Sequence, residues 1–191
     1  RVITERYRNG LTPDKPRLLL EATRHLLNLL GAISVSQGKL AADKSVIRYL
    51  PDLATSTGLR KISIRRLLDS EERHVWSPEE LDSCRHAGGW TDNQADSSIR
   101  TWLSQSGRWD KPLNEQEGAI FDASPDDDLL AWTLAKSNAT PLSRLFCEQL
   151  LVRVNPEHDV LWVSDSQGVE LASGLGLSLR DFAKLGQLLV E

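Results

Sequence analysis

Residues 18–40, LLLEATRHLLNLLGAISVSQGKL, form the most apolar long segment of the chain, and any fold must bury them. Leu26, Leu29, Leu30 and Ile33 recur at i, i+3, i+4 and i+7, and Leu27 widens the stripe. That period predicts a single buried helix. Gly38 stands where a C-terminal stop belongs, and Lys39 after it suits the negative end of the helix dipole. Glu21 and Arg24 lie one turn apart in the first part of this helix, a spacing at which they share a face and can pair.

The other elements announce themselves by their starts. Ser77-Pro78-Glu79-Glu80 combines a capping serine, a first-turn proline and an acid three residues on, and Gly88-Gly89 closes the helix it opens. Ser124-Pro125 leads into LLAWTLAKS, Thr140-Pro141 into LSRLFCEQLL, and Ser178 to Asp181 repeats the capping-box spacing before DFAKLGQLLV. Asp43 is placed to cap a short helix stopped by Pro51, and Ser63 to cap a helix over residues 64–68. Residues 99–106 form a further helix, and TSTG at 55–58 reads as a loop. Residues 2–7 alternate as a strand would, VLWVS at 160–164 reads as a second strand, and residues 165–168 as a turn. About seven helices against two or three short strands result, with no repeat of fixed period.

A chain of 191 residues supports one domain with a proper core. A net charge of −4 gives no reason to expect nucleic acid as a partner. No apolar run reaches the ~18–20 residues of a membrane span. The start, RVITERYRNG, has no apolar signal-peptide core, so a soluble protein is expected, its compartment left open with the cytoplasm favoured. Cys84 and Cys147 are too few for a disulfide framework or a zinc site and read as free thiols, with one disulfide left open.

Several spacings suggest chemistry, and each has a plainer reading. Ser36-Gln37-Gly38-Lys39 matches S-x-x-K, but that chemistry needs both side chains on one rigid turn, and Gly38 interrupts it. None of His25, His74, His86 and His158 has metal-site spacing, so no metal and no cofactor are expected. His86 and Asp92 could form an acid–base pair, yet no nucleophile stands near them. Asp126-Asp127-Asp128 resembles a metal cluster, but acids at a helix start also answer the helix dipole. Gly174-Leu-Gly176 lacks the lysine of a phosphate loop. Of Trp76, Trp90, Trp102, Trp109, Trp132 and Trp162, most are expected in the core, and Trp90 after Gly88-Gly89 is the candidate pocket residue.

Taken in order, LLNLLGAISVSQGKL with DKSVIRYLPDL, ISIRRLLDS, AGGW, GAIFDASPDDDLLAWTLAKSNATPL and HDVLWVSDSQGVELASGLGLSLRDFAKLGQLL resemble the serine hydrolases of the β-lactamase and penicillin-binding-protein family. Within that family they look most like the branch of class C-like esterases and 6-aminohexanoate-oligomer hydrolases. The resemblance implies an α+β, β-lactamase/transpeptidase-like fold, with this chain supplying mainly the helical region and few short strands. It implies one domain over residues 1–191, truncated at the C-terminal sheet.

The catalytic motifs of that family depart here. Counted back from Gly38-Lys39-Leu40, Glu21 takes the place of the nucleophilic serine and Arg24 that of the lysine base. A guanidinium, which stays protonated at any working pH, cannot abstract the proton. The Tyr-x-Ser/Asn motif falls on Asp122, Ala123, Ser124 and Pro125, with no tyrosine in either register. The expectation is a catalytically degenerate homologue of ester and amide hydrolases, a ligand-binding or scaffolding pseudoenzyme. Its pocket would lie near Glu21, Arg24, Trp90 and Ser124 and suit a small polar or zwitterionic ligand. The alternatives are an active serine hydrolase using Ser34, Ser36 or Ser124, and a helical protein-interaction domain with tryptophan anchors.

Overall fold

The computed structural model describes residues 4–69, 73–91, 98–105, 107–110, 113–114 and 125–190. The apolar stretch does become the central helix, but a shorter one. Leu18 belongs to strand β1 (Arg17–Leu18), Leu20 adopts a positive φ of 48°, and a single 3-10 turn (Leu20–Ala22) precedes α1 (Thr23–Ser36). The apolar period ran through this break because leucine suits strand, turn and helix alike. The far end behaves as expected. Gly38 is left-handed at φ 70°, and the Lys39 and Leu40 N–H groups both return to the Ser34 carbonyl.

Helices α2 (Thr57–Lys61) and α3 (Ile64–Asp69) follow, each opened by a serine. Ser56 receives the Leu59 N–H, so the stretch read as a loop at 55–58 opens a helix. Ser63 receives the Arg66 N–H as expected. The cap assigned to Asp43 belongs to Ser45, which takes the Ile47 N–H at the turn Val46–Arg48; Asp43 pairs with Lys44 at the surface. At α4 (Pro78–Ala87) the box closes in both directions: Glu80 N–H donates to Ser77, and Ser77 N–H donates to Glu80. The helix expected at 99–106 is α5 (Ile99–Leu103). Strands β2 (Arg73–His74) and β3 (Leu113–Asn114) form a two-stranded ribbon.

Helix α6 (Pro125–Asn138) is buried along most of its length. Helix α7 (Leu142–Phe146) continues through a π-helical turn (Cys147–Leu151) into α8 (Val152–Val154). Strand β4 (Leu161–Ser164) and β5 (Glu170–Leu177) then pair antiparallel, and α9 (Leu179–Leu188) closes the described chain. The Ser178 hydroxyl takes the Asp181 N–H, but the Asp181 carboxylate receives the Glu157 and His158 N–H groups rather than completing a box.

The strand expected at residues 2–7 is absent over 4–7; the edge partner of β5 is β1, with Arg17 opposite Leu177. The longest strand, β5, lies centrally in the order β1-β5-β4 and was not anticipated. Its glycines explain why it can sit there. A Cβ on Gly174 would stand 2.6 Å from the Val163 carbonyl oxygen, and one on Gly176 2.7 Å from the Leu161 side chain. Those two glycines let β4 lie tightly on β5, at the expense of any alternating apolar signal.

Helix α1 packs on α6 and on β5, so the core is a helical layer against one small sheet. Trp102, Trp109 and Trp132 are buried, whereas Trp90 is 37 % exposed. Cys84 is buried and Cys147 exposed, both as free thiols. No helix of the described residues is long and apolar enough to cross a membrane.

Candidate functional site

The three consecutive acids at the start of α6 do more than answer its dipole. Adjacent residues on a helix point about 100° apart, so Asp126, Asp127 and Asp128 face three different neighbours.

Asp126 turns toward the β2 ribbon. One carboxylate oxygen lies 2.7 Å from His74 Nδ1, and the other accepts the Trp76 indole N–H at 2.8 Å. Both His74 and Asp126 are buried, and His74 abuts the Trp76 and Trp109 rings at centroid distances of 5.8 and 5.1 Å.

Asp127 turns toward α1 and forms an ion pair with Arg24, both side chains being only about a tenth exposed. Arg24 also donates from Nη2 to the Leu67 carbonyl at 3.1 Å, which ties α1, α3 and α6 at one point. The pair expected between Glu21 and Arg24 does not form. Glu21 is exposed in the 3-10 turn and has no ion-pair partner among the described residues. The regular helix begins only at Thr23, so positions 21 and 24 do not share an α-helical face.

Asp128 turns toward β5 and accepts the Ala172 N–H at 2.8 Å. Burial, together with the nearby Asp165 carboxylate, pushes its pKa up to about 6, against the opposing hydrogen bond from Ala172. Asp165 is itself a staple, accepting N–H groups from Gln167 and Val169 in its own turn and from Ile99 at the start of α5.

The raised Asp128 value predicts a pH-dependent stability. Between pH about 4 and 6 the folded protein retains a proton that the unfolded chain releases, so stability falls as pH rises through that window. Above pH about 6 the full penalty applies, on the order of 1–3 kcal/mol. Asp128→Asn keeps an acceptor for Ala172 and removes the charge. It is expected to raise Tm at pH 8 and to give no gain at pH 4; an equal shift at both pH values would refute this origin.

The other expected site residues are dispersed. Pro125 is buried at the first turn of α6, while Asp122, Ala123 and Ser124 lie outside the described residues. Trp90 stands beyond α4, its ring beside Gly88, whose Cα also faces Leu171. Ser34 is buried, donates to the Leu30 carbonyl and accepts from the Asn138 amide of α6, and Ser36 donates to the Ile33 carbonyl, so both hydroxyls are held in structural bonds. Lys39 lies beyond the left-handed Gly38, and the S-x-x-K spacing never forms one turn. His86 Nδ1 lies 2.9 Å from the Thr91 hydroxyl, and Asp92 lies outside the described residues. Asp126, Asp127 and His74 were not anticipated as tertiary partners. The signal was present as three acids in succession before an apolar run, more than a helix dipole requires.

What the centre can do chemically follows from its groups. Arg24 and Asp127 neutralise each other, and a guanidinium held by a buried carboxylate neither accepts a proton nor attacks a carbonyl. Among the described residues no group of three or more His, Cys, Asp or Glu side chains is placed to hold a metal ion.

No family model matches the chain. It is similar to the 6-aminohexanoate-dimer hydrolase of Paenarthrobacter ureafaciens, 22 % identical over the whole chain and covering 49 % of that protein. A candidate 6-aminohexanoate-dimer hydrolase from Bacillus anthracis superposes with a TM-score of 0.77 over 98 % of this chain and 50 % of its own, at 20 % identity. A class C β-lactamase superposes with a TM-score of 0.62 over 93 % and 51 %, at 17 % identity. The octameric penicillin-binding protein homologue of Pyrococcus abyssi gives 0.64 over 93 % and 45 %, at 15 % identity. The fold is therefore β-lactamase/transpeptidase-like, and the chain spans about half the length of the relatives it matches.

Proposed function

We propose that this chain, as one β-lactamase-like domain, is a homologue of ester- and amide-hydrolysing enzymes that has given up acyl-enzyme chemistry and serves as a ligand-binding or scaffolding protein. The observation that carries this reading is the buried Arg24–Asp127 pair. By the resemblance, the lysine base belongs at position 24. Its task is to take a proton from the attacking hydroxyl, and the residue present is locked into a structural contact. Exposed Glu21 stands in the serine place without a base beside it.

A second reading is that of an active ester or amide hydrolase, supported by the hydrolase relatives that match the chain along its whole length. Fluorophosphonate labelling followed by intact-mass analysis separates the two. No adduct on any serine and no turnover of a p-nitrophenyl ester are the expected results. A stoichiometric serine adduct would overturn the pseudoenzyme reading and establish the second.

A further inference from the structure

A different face of α6 lines an unassigned cleft. Asp128, Trp132 and Lys136 follow at four-residue intervals, so they form one stripe about 12 Å long. That stripe is one wall of a cleft of about 330 Å³, whose other walls come from α5, residues 140–142 leading into α7, and the turn between β4 and β5. Trp132, Ala135 and Val169 supply its accessible apolar lining, while Ile99, Leu103 and Ala131 border it almost fully buried. The acids of the cleft already have donors: Asp128 takes the Ala172 N–H, and Glu170 takes the Ser143 hydroxyl and, at 3.3 Å, its N–H. Among the described residues, neither the exposed Arg100 guanidinium nor the exposed Lys136 ammonium has an ion-pair or hydrogen-bond partner. Arg100 instead lies over the Trp132 ring, 5.7 Å from its centroid. The Trp132 indole N–H, in a side chain 7 % exposed, also lacks an acceptor there.

We propose that this cleft binds a small organic carboxylate, its charged end held between Arg100 and Lys136 and its apolar body of a few carbons laid along Trp132, Ala135 and Val169. A guanidinium held over an indole keeps its planar fork free for a carboxylate. A cationic ligand would meet two uncompensated positive charges. A highly charged anion would gain from the same two groups but would face Asp128, Glu170 and the apolar wall. The cleft is separate from the Arg24–Asp127 centre, because Asp127 points toward α1.

The probe is pentanoate, titrated by calorimetry, with pentylamine as the control of equal apolar body. Saturable pentanoate binding is expected, with pentylamine at least about tenfold weaker. Arg100→Gln with Lys136→Gln is expected to weaken pentanoate at least about tenfold and leave Tm unchanged, since both side chains are exposed. Ala135→Leu, which narrows the cleft without touching a charge, is expected to weaken it as well. No saturable pentanoate binding, equal binding of the amine, or full affinity in the double variant would each overturn the proposal.

Discussion

Asp127→Ala is expected to lower folding stability by about 3–5 kcal/mol, the cost of leaving a buried charge without its partner. Arg24 and Asp127 are each about a tenth exposed, so water screens neither. Arg24 cannot follow its lost partner outward without giving up the Leu67 carbonyl. Nor can it shed its proton, as a buried lysine would. Urea unfolding of the single and double variants measures the effect. Replacing both residues, Arg24→Met with Asp127→Leu, is expected to recover most of the loss, because a well-packed apolar pair avoids the desolvation penalty of both ions. A single-variant loss below about 1 kcal/mol would place the pair at the surface in energetic terms and remove the main support for the pseudoenzyme reading. The same geometry bears on the proposed loss of chemistry. In Arg24→Lys the new ammonium would face the Asp127 carboxylate, which favours its protonated form. Such a lysine would remain an ion-pair partner rather than a base, and Glu21→Ser with Arg24→Lys is expected to stay unreactive while Asp127 is present.

Asp126→Ala is the second large effect, expected to cost about 2–4 kcal/mol. Its carboxylate is the shared acceptor of His74 Nδ1 and the Trp76 indole N–H, and His74 and Asp126 are each at most 5 % exposed. Removing it takes the acceptor away from a buried imidazole and a half-buried indole at once. Asp126→Asn keeps only one oxygen and presents an amide N–H to the other donor, so it is expected to fall between wild type and alanine. The neighbourhood supplies its own readout. Trp76 sits 5.5 Å from the Trp102 ring and 5.2 Å from the Trp109 ring, so loosening of the β2 segment should dim the near-ultraviolet circular dichroism of this cluster. Unchanged aromatic ellipticity in a folded Asp126→Ala protein would show that the carboxylate does not organise the tryptophans.

Contacts of short range were readable in advance. The Ser77 box, the Ser63 cap, the Gly38 stop and the turn after β4 each depend on residues within about five positions, where spacing specifies geometry. The structure departs from the pattern where a distant partner decides the outcome and where neighbouring small polar residues compete for one cap. Leu18 was assigned to the helix, yet β5 draws it into a strand. The serine cap of α2 was hidden in a run of small polar residues that suits a loop equally well.

Position along the chain therefore determined that a central apolar rod exists, that helices dominate, and that residues 21 and 24 carry opposite charges. It also determined that three acids open α6. Only the tertiary structure decided which way each acid faces, and that Arg24 joins Asp127 across 103 residues of sequence rather than Glu21 one turn away. The reason is that a helix sets the angle between neighbouring side chains but not what lies beyond them. That is fixed when α1, α6 and β5 close around one core, and burial then makes each charge seek the partner the packing supplies.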